Sequence, residues 1–167
     1  SRVAESFWKM ARNQDRLDEE SKAAESFEHA SVEYKVAAQK SPHFADFYLD
    51  YANYMEAWSE IEKAKVAHKE EEYAIAMKHF EKIASLLKPS KSWNYLCANF
   101  LAWSLLERAE DLSRKGRDTE SIEAFDEAAK LFKEAKEIFQ KEVGKIQNSD
   151  EKKKVVELGE ASIRRQD

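Results

Sequence analysis

Four histidines, one cysteine and 33 acidic side chains are the groups with which this 167-residue chain could hold a metal or move a proton. A di-iron carboxylate bundle needs Glu-x-x-His on facing helices. The residues three before His29, His43, His68 and His79 are Ser26, Lys40, Lys65 and Ala76, so that motif is absent at every histidine. No His-x-x-x-His pair occurs, and Cys97 alone cannot build a structural zinc site. Glu72 stands four residues after His68 and shares its face only if one helix spans both. The simpler reading is exposed helix residues near a turn. No metal ligand is expected.

Nucleophiles fare no better. Ser6, Ser21, Ser26, Ser31, Ser59, Ser85, Ser104 and Ser121 all sit inside helical patterns without a G-x-S-x-G elbow. Acidic runs such as Glu19-Glu20 and Glu70-Glu71-Glu72 read as helix N-termini favoured by the dipole. The three glycines lie at least fifteen positions apart, which excludes the clustered glycines of phosphate-cradling loops. The expectation is therefore no catalytic residue, no cofactor and no enzyme.

A net charge of -5 argues against a dedicated nucleic-acid binder. No apolar run approaches the ~18 residues of a membrane span, and Arg2, Glu5, Lys9 and Arg12 interrupt any signal-like start. A single cysteine fits a reducing compartment, so a cytoplasmic location is expected.

What remains is to place elements. Three Gly and two Pro are too few for turn-rich β folds, and apolar residues recur at three and four almost everywhere. The pattern predicts an all-α chain of about seven helices joined by short connections. The first spans roughly 2–15 and the second 19–40. Ser41 caps a third, led by Pro42 at its first position and running to about Lys69. The fourth covers 71–87 and stops before Pro89. A fifth starts at Ser90 or Lys91 and ends near Gly116, in a left-handed closing conformation. Asp118 or Thr119 caps the sixth. Residues 144–150 read as a turn, with Ser149 capping a last helix through Ile163.

The helices pair into a repeat. Ala57-Trp58-Ser59 and Ile61-Glu62-Lys63-Ala64 match Ala102-Trp103-Ser104 and Leu106-Glu107-Arg108-Ala109 at an offset of 45, which also lays Phe80 over Phe125. A skeleton of two small residues and a Phe emerges: Ala11, Ala23, Phe27; then Ala64, Ala76, Phe80; then Ala109, Ser121, Phe125. Antiparallel helices cross closely only where side chains are small, and the Phe one turn later fills the space toward the next hairpin.

This skeleton, with Phe7-x-x-Met10-Ala11 and Val155-x-x-Leu158-Gly159, resembles the tetratricopeptide repeat family. Repeat spacings of 53, 45 and 50 exceed that family's roughly 34 residues. The resemblance implies a single domain of stacked α-α hairpins over 1–167, with repeats at about 1–40, 43–88 and 90–148. Residues 150–167 would then be a partial fourth repeat, as in a fragment of a longer protein. It also implies a non-enzymatic scaffold for protein–protein interaction, or, as an alternative, a regulatory or sensor module of a larger enzyme or signalling protein.

Family grooves are lined by first helices, at positions one and five residues past the small anchor. Here those positions hold Arg12 and Arg16, Lys65 and Lys69, Glu110 and Arg114, Glu160 and Arg164. Clustered cations suit an acidic protein or peptide partner. Cations near helix C-termini also complement the dipole, which by itself accounts for Arg16, Lys69 and Arg114. Trp58 and Trp103 occupy equivalent positions, as core spacers would; Trp8 lies outside that register and suits a binding anchor. Trp8, Arg12, Arg16, Lys65, Lys69, Arg114 and Arg164 are thus the expected groove residues.

Overall fold

The computed structural model describes residues 1–156. Among these the chain is all-helical, with α1 Arg2–Arg16, α2 Glu20–Lys40, α3 Ala45–Lys69, α4 Tyr73–Leu87, α5 Cys97–Arg114 and α6 Asp118–Val156. Each helix packs against the next along the chain.

The small residues of the skeleton lie where the paired helices cross. Ala11, Ala23, Ala64, Ala76 and Ala109 are fully buried, and the Ser121 hydroxyl donates 2.8 Å to the Ala109 carbonyl. A hydroxyl reaching the facing backbone shows how near the two helices run. The Phe of the skeleton is 1% exposed at Phe27, 9% at Phe80 and 38% at Phe125. The gradient has a direct cause. Trp58 of α3 stacks on Phe27 at 5.8 Å and Trp103 of α5 stacks on Phe80 at 6.1 Å. Among the described residues no following helix covers Phe125.

The three hairpin turns share one backbone path. Asp18, Glu71 and Gly116, each seven residues past the small anchor, have φ of 56°, 59° and 74°. In each, the next amide donates five residues back: Glu19 to Gln14, Glu72 to Ala67, Arg117 to Leu112, at 2.8–2.9 Å. This is the left-handed helix stop that glycine favours. Only the third turn uses it, so Asp18 and Glu71 adopt the conformation against their own preference.

Several boundaries differ from expectation. Ser41 does not cap with its side chain, and Pro42–Phe44 form a 3-10 turn before α3. Ser90 does cap, accepting from the Trp93 amide at 3.0 Å, but it caps a turn; a further 3-10 turn at Asn94–Leu96 precedes α5. Arg117 accepts the first bond of α6, so Asp118 and Thr119 are helical rather than caps. The largest correction is at residues 144–150, where α6 runs unbroken and 149 is not a cap. Gly144 meets nothing within 4 Å, and the helix runs through it, so polar composition there does not mark a turn. Six helices are described instead of seven. The rest of the expected last helix, with its Gly159 anchor, lies outside the described residues.

Candidate partner-binding groove

The first helices α1, α3 and α5 touch in sequence through side chains. Trp8 meets Tyr54 edge-on at 6.2 Å, and Lys65 donates to Asp15 at 2.7 Å, joining α1 to α3. Tyr54 stacks flat on Trp93 at 3.9 Å, and His68 Nδ1 lies 2.7 Å from Glu107 Oε1, joining α3 to the α5 segment. Between each neighbouring pair opens a pocket.

The first pocket, about 720 Å³, has Trp8, Phe27, Tyr54 and Trp58 as walls and Lys9, Arg12, Asp15 and Arg16 at its edge. The second, about 370 Å³, has Ile61, Phe80, Phe100 and Trp103 as walls, with Lys65, His68, Lys69 and Glu107 around them. Counted from the small anchor, the two are built alike. Trp8 and Ile61 stand three before it; Arg12 and Lys65 stand one after, Asp15 and His68 four after, Arg16 and Lys69 five after. Phe27 and Phe80 come from the second helix, and Trp58 and Trp103 from the following hairpin. One pocket has been written twice.

The structure separates the expected groove residues into two kinds. Arg12 sits over the Trp8 ring at 5.5 Å, and Arg16 donates to Asn13 at 3.4 Å; neither forms an ion pair among the described residues. Lys65, Lys69 and Arg114 are ties between neighbouring segments. Lys65 bridges Asp15 and Glu62, Lys69 pairs with Glu20, and Arg114 reaches Glu71 at 3.4 Å and the Tyr73 hydroxyl at 3.2 Å. Arg164 lies outside the described residues. Trp8 is half-buried rather than fully displayed.

Buried carboxylates went unnoticed in the sequence. Glu60, Glu62 and Glu107 are the charged residues among the buried side chains described, whose other polar members are serines. Burial would raise Glu60, but His79 at 2.5 Å, Lys82 at 3.1 Å and the Lys63 charge outweigh it and hold its carboxyl below the usual range. Glu62 goes the other way. Burial and the facing Asp15 carboxylate push it up to about 8, against only the Lys65 ammonium. Its Oε2 is buried without a hydrogen-bond partner. Glu107 is raised chiefly by burial, opposed by His68, and its Oε2 is also without a partner. Glu62 and Glu107 are equivalent under the offset of 45, both two residues before the anchor, and that repetition was the available signal.

His68 pairs with Glu107 rather than with Glu72, and His29 stacks on Phe7 at 5.0 Å. Among the described residues no group of three or more His, Cys, Asp or Glu side chains is placed to hold a metal ion. No described helix is long and apolar enough to cross a membrane. No protein-family model, curated protein or solved structure matches the chain.

Proposed function

We propose that the chain is a non-enzymatic scaffold, a tetratricopeptide-like stack whose first helices hold a segment of a protein partner. The carrying observation is the repeated pocket: aromatic walls and a cationic edge, built from equivalent residues between α1 and α3 and again between α3 and α5. Recurrence in register is what a surface that reads successive side chains of one segment requires. The first pocket sets the charge preference. Lys9, Arg12 and Arg16 surround it, and Asp15 is already engaged by Lys65, so an acidic residue beside a bulky apolar one suits it. Half-buried Cys97, the lone thiol, fits a cytoplasmic setting.

Panning a random peptide display library on the folded protein tests this reading. Enriched peptides should be acidic with apolar anchors, and Arg12→Glu with Arg16→Glu should weaken them about tenfold without changing the melting temperature. No enrichment, or enrichment indifferent to both substitutions, counts against it.

A further inference from the structure

The second pocket contains a feature the first lacks. Glu107 is only 3% exposed, lines the cavity, and keeps one carboxylate oxygen, Oε2, without any hydrogen-bond partner. Its other oxygen faces His68 Nδ1 at 2.7 Å. With the proton on Nδ1, His68 donates to Oε1 and leaves Oε2 still able to accept. Native interiors rarely leave such an atom unserved. The remaining walls are Phe80, Phe100, Trp103 and Ile61, with Phe80 stacked on Phe100 at 6.4 Å and Trp103 41% exposed at the mouth.

We propose that this pocket takes a tryptophan or tyrosine side chain of the partner segment, whose indole N–H or phenol O–H donates to Glu107 Oε2. The inference rests on the scaffold reading above and adds the chemistry of one anchor. Three observations select that class. The cavity of about 370 Å³ holds the volume of about twelve waters, room for one aromatic side chain. A purely apolar entrant would leave Oε2, already out of reach of water, still without a donor, the costly state for a buried acceptor. A cationic entrant would pass Lys65 and Lys69 at the mouth and lose its water in an interior that already raises its own carboxyl. A neutral, planar side chain with a single donor meets each demand, and stacks on aromatic walls.

Parallel panning on wild type, Glu107→Leu and Glu107→Gln reads the preference directly. Wild type should enrich Trp or Tyr at one fixed position, Glu107→Gln should retain it through its amide oxygen, and Glu107→Leu should lose it in favour of Phe or Leu. A wild-type consensus with Lys, Arg, Phe or Leu there overturns the inference while leaving the scaffold reading intact. Should no peptide enrich, the scaffold reading fails, and titration of N-acetyl-tryptophanamide into isotopically labelled protein decides the pocket alone. Shifts confined to residues around Trp103, and about tenfold weaker with the 1-methylindole analogue, uphold it; no shifts, or equal affinity for both compounds, overturn it. Circular dichroism of Glu107→Leu checks that the fold is kept, with the Gln variant as control.

Discussion

Glu107 reaches His68, the residue four past the small anchor of the preceding hairpin, just as Glu62 faces Asp15, four past the anchor before it. Successive first helices are therefore joined by one repeated device, a buried glutamate extended backward to a polar residue at the end of the previous first helix. Its two copies differ in partner. Burial raises both glutamates; His68 opposes the rise at Glu107, whereas Asp15 adds to it at Glu62.

That difference gives a pH dependence. Glu62 holds its proton to about 8, against an ordinary 4.5. Between those values the native state binds more protons than the unfolded chain, so stability falls as pH rises and levels off above about 8. Asp15 works oppositely, and its lowered value costs stability only as pH falls below its ordinary 3.8. Urea unfolding at pH 5, 6.5 and 8 should show a loss of about 3–4 kcal/mol over that range. Glu62→Gln, neutral throughout, should flatten the slope; an equal slope in the variant would mean that Glu62 is not its source.

The Phe series should grade with cover. Phe27 lies under Trp58, Phe80 under Trp103, and Phe125 is largely open among the described residues. Truncation to Ala should cost about 4 kcal/mol at Phe27, about 3 at Phe80 and about 1 at Phe125. Chemical denaturation of the three variants checks the order. Equal costs would mean that Phe125 is buried by something the described residues do not supply.

The hairpin turns offer substitutions of opposite sign at one equivalent position. Gly116→Ala meets no atom within 4 Å, so its cost is conformational alone, about 1 kcal/mol. Asp18→Gly and Glu71→Gly relieve left-handed residues and should stabilise by a few tenths to 1 kcal/mol each. Thermal melts of the three variants test the shared backbone path; destabilisation by both glycines would show that the side chains matter more than φ.

Much of this fold is legible from residue types, because the small anchors and the Phe after them have a packing reason that survives without coordinates. Gly116 announces its turn, whereas Asp18 and Glu71 do not, since neither side chain prefers positive φ. Residues 144–150 look like a turn because they are polar, yet α6 runs through them unbroken, and polar composition belongs to helices as well as to turns. Between the first helices, the spacing picks out Arg12, Arg16, Lys65 and Lys69, which edge the two pockets, but not what each side chain touches. A cation's partner lies across helices, as Lys65 shows with Asp15 fifty residues away, and charge counting along one helix cannot see it. The buried glutamates were hidden for the same reason. On a helix surface Glu is unremarked, and only the packed interior makes it costly.

The division of groove cations into free and tied is itself testable. Arg12 lies over an indole with no carboxylate partner among the described residues, so Arg12→Glu removes little and should change stability by less than about 0.5 kcal/mol. Lys65 is placed 2.7 Å from Asp15 and 3.5 Å from the enclosed Glu62. Lys65→Glu would set three carboxyl groups together and leave the α1–α3 tie without its cation, at a cost of about 3 kcal/mol. Salt separates the two further, because a half-exposed charge cluster is partly screened: about 0.5 M NaCl should recover some of the Lys65→Glu loss and leave Arg12→Glu unchanged. Urea midpoints at low and high salt measure both. Equal tolerance of the two reversals would mean that Lys65 belongs to the open surface of the groove, and that the first helices are held together by their aromatic contacts alone.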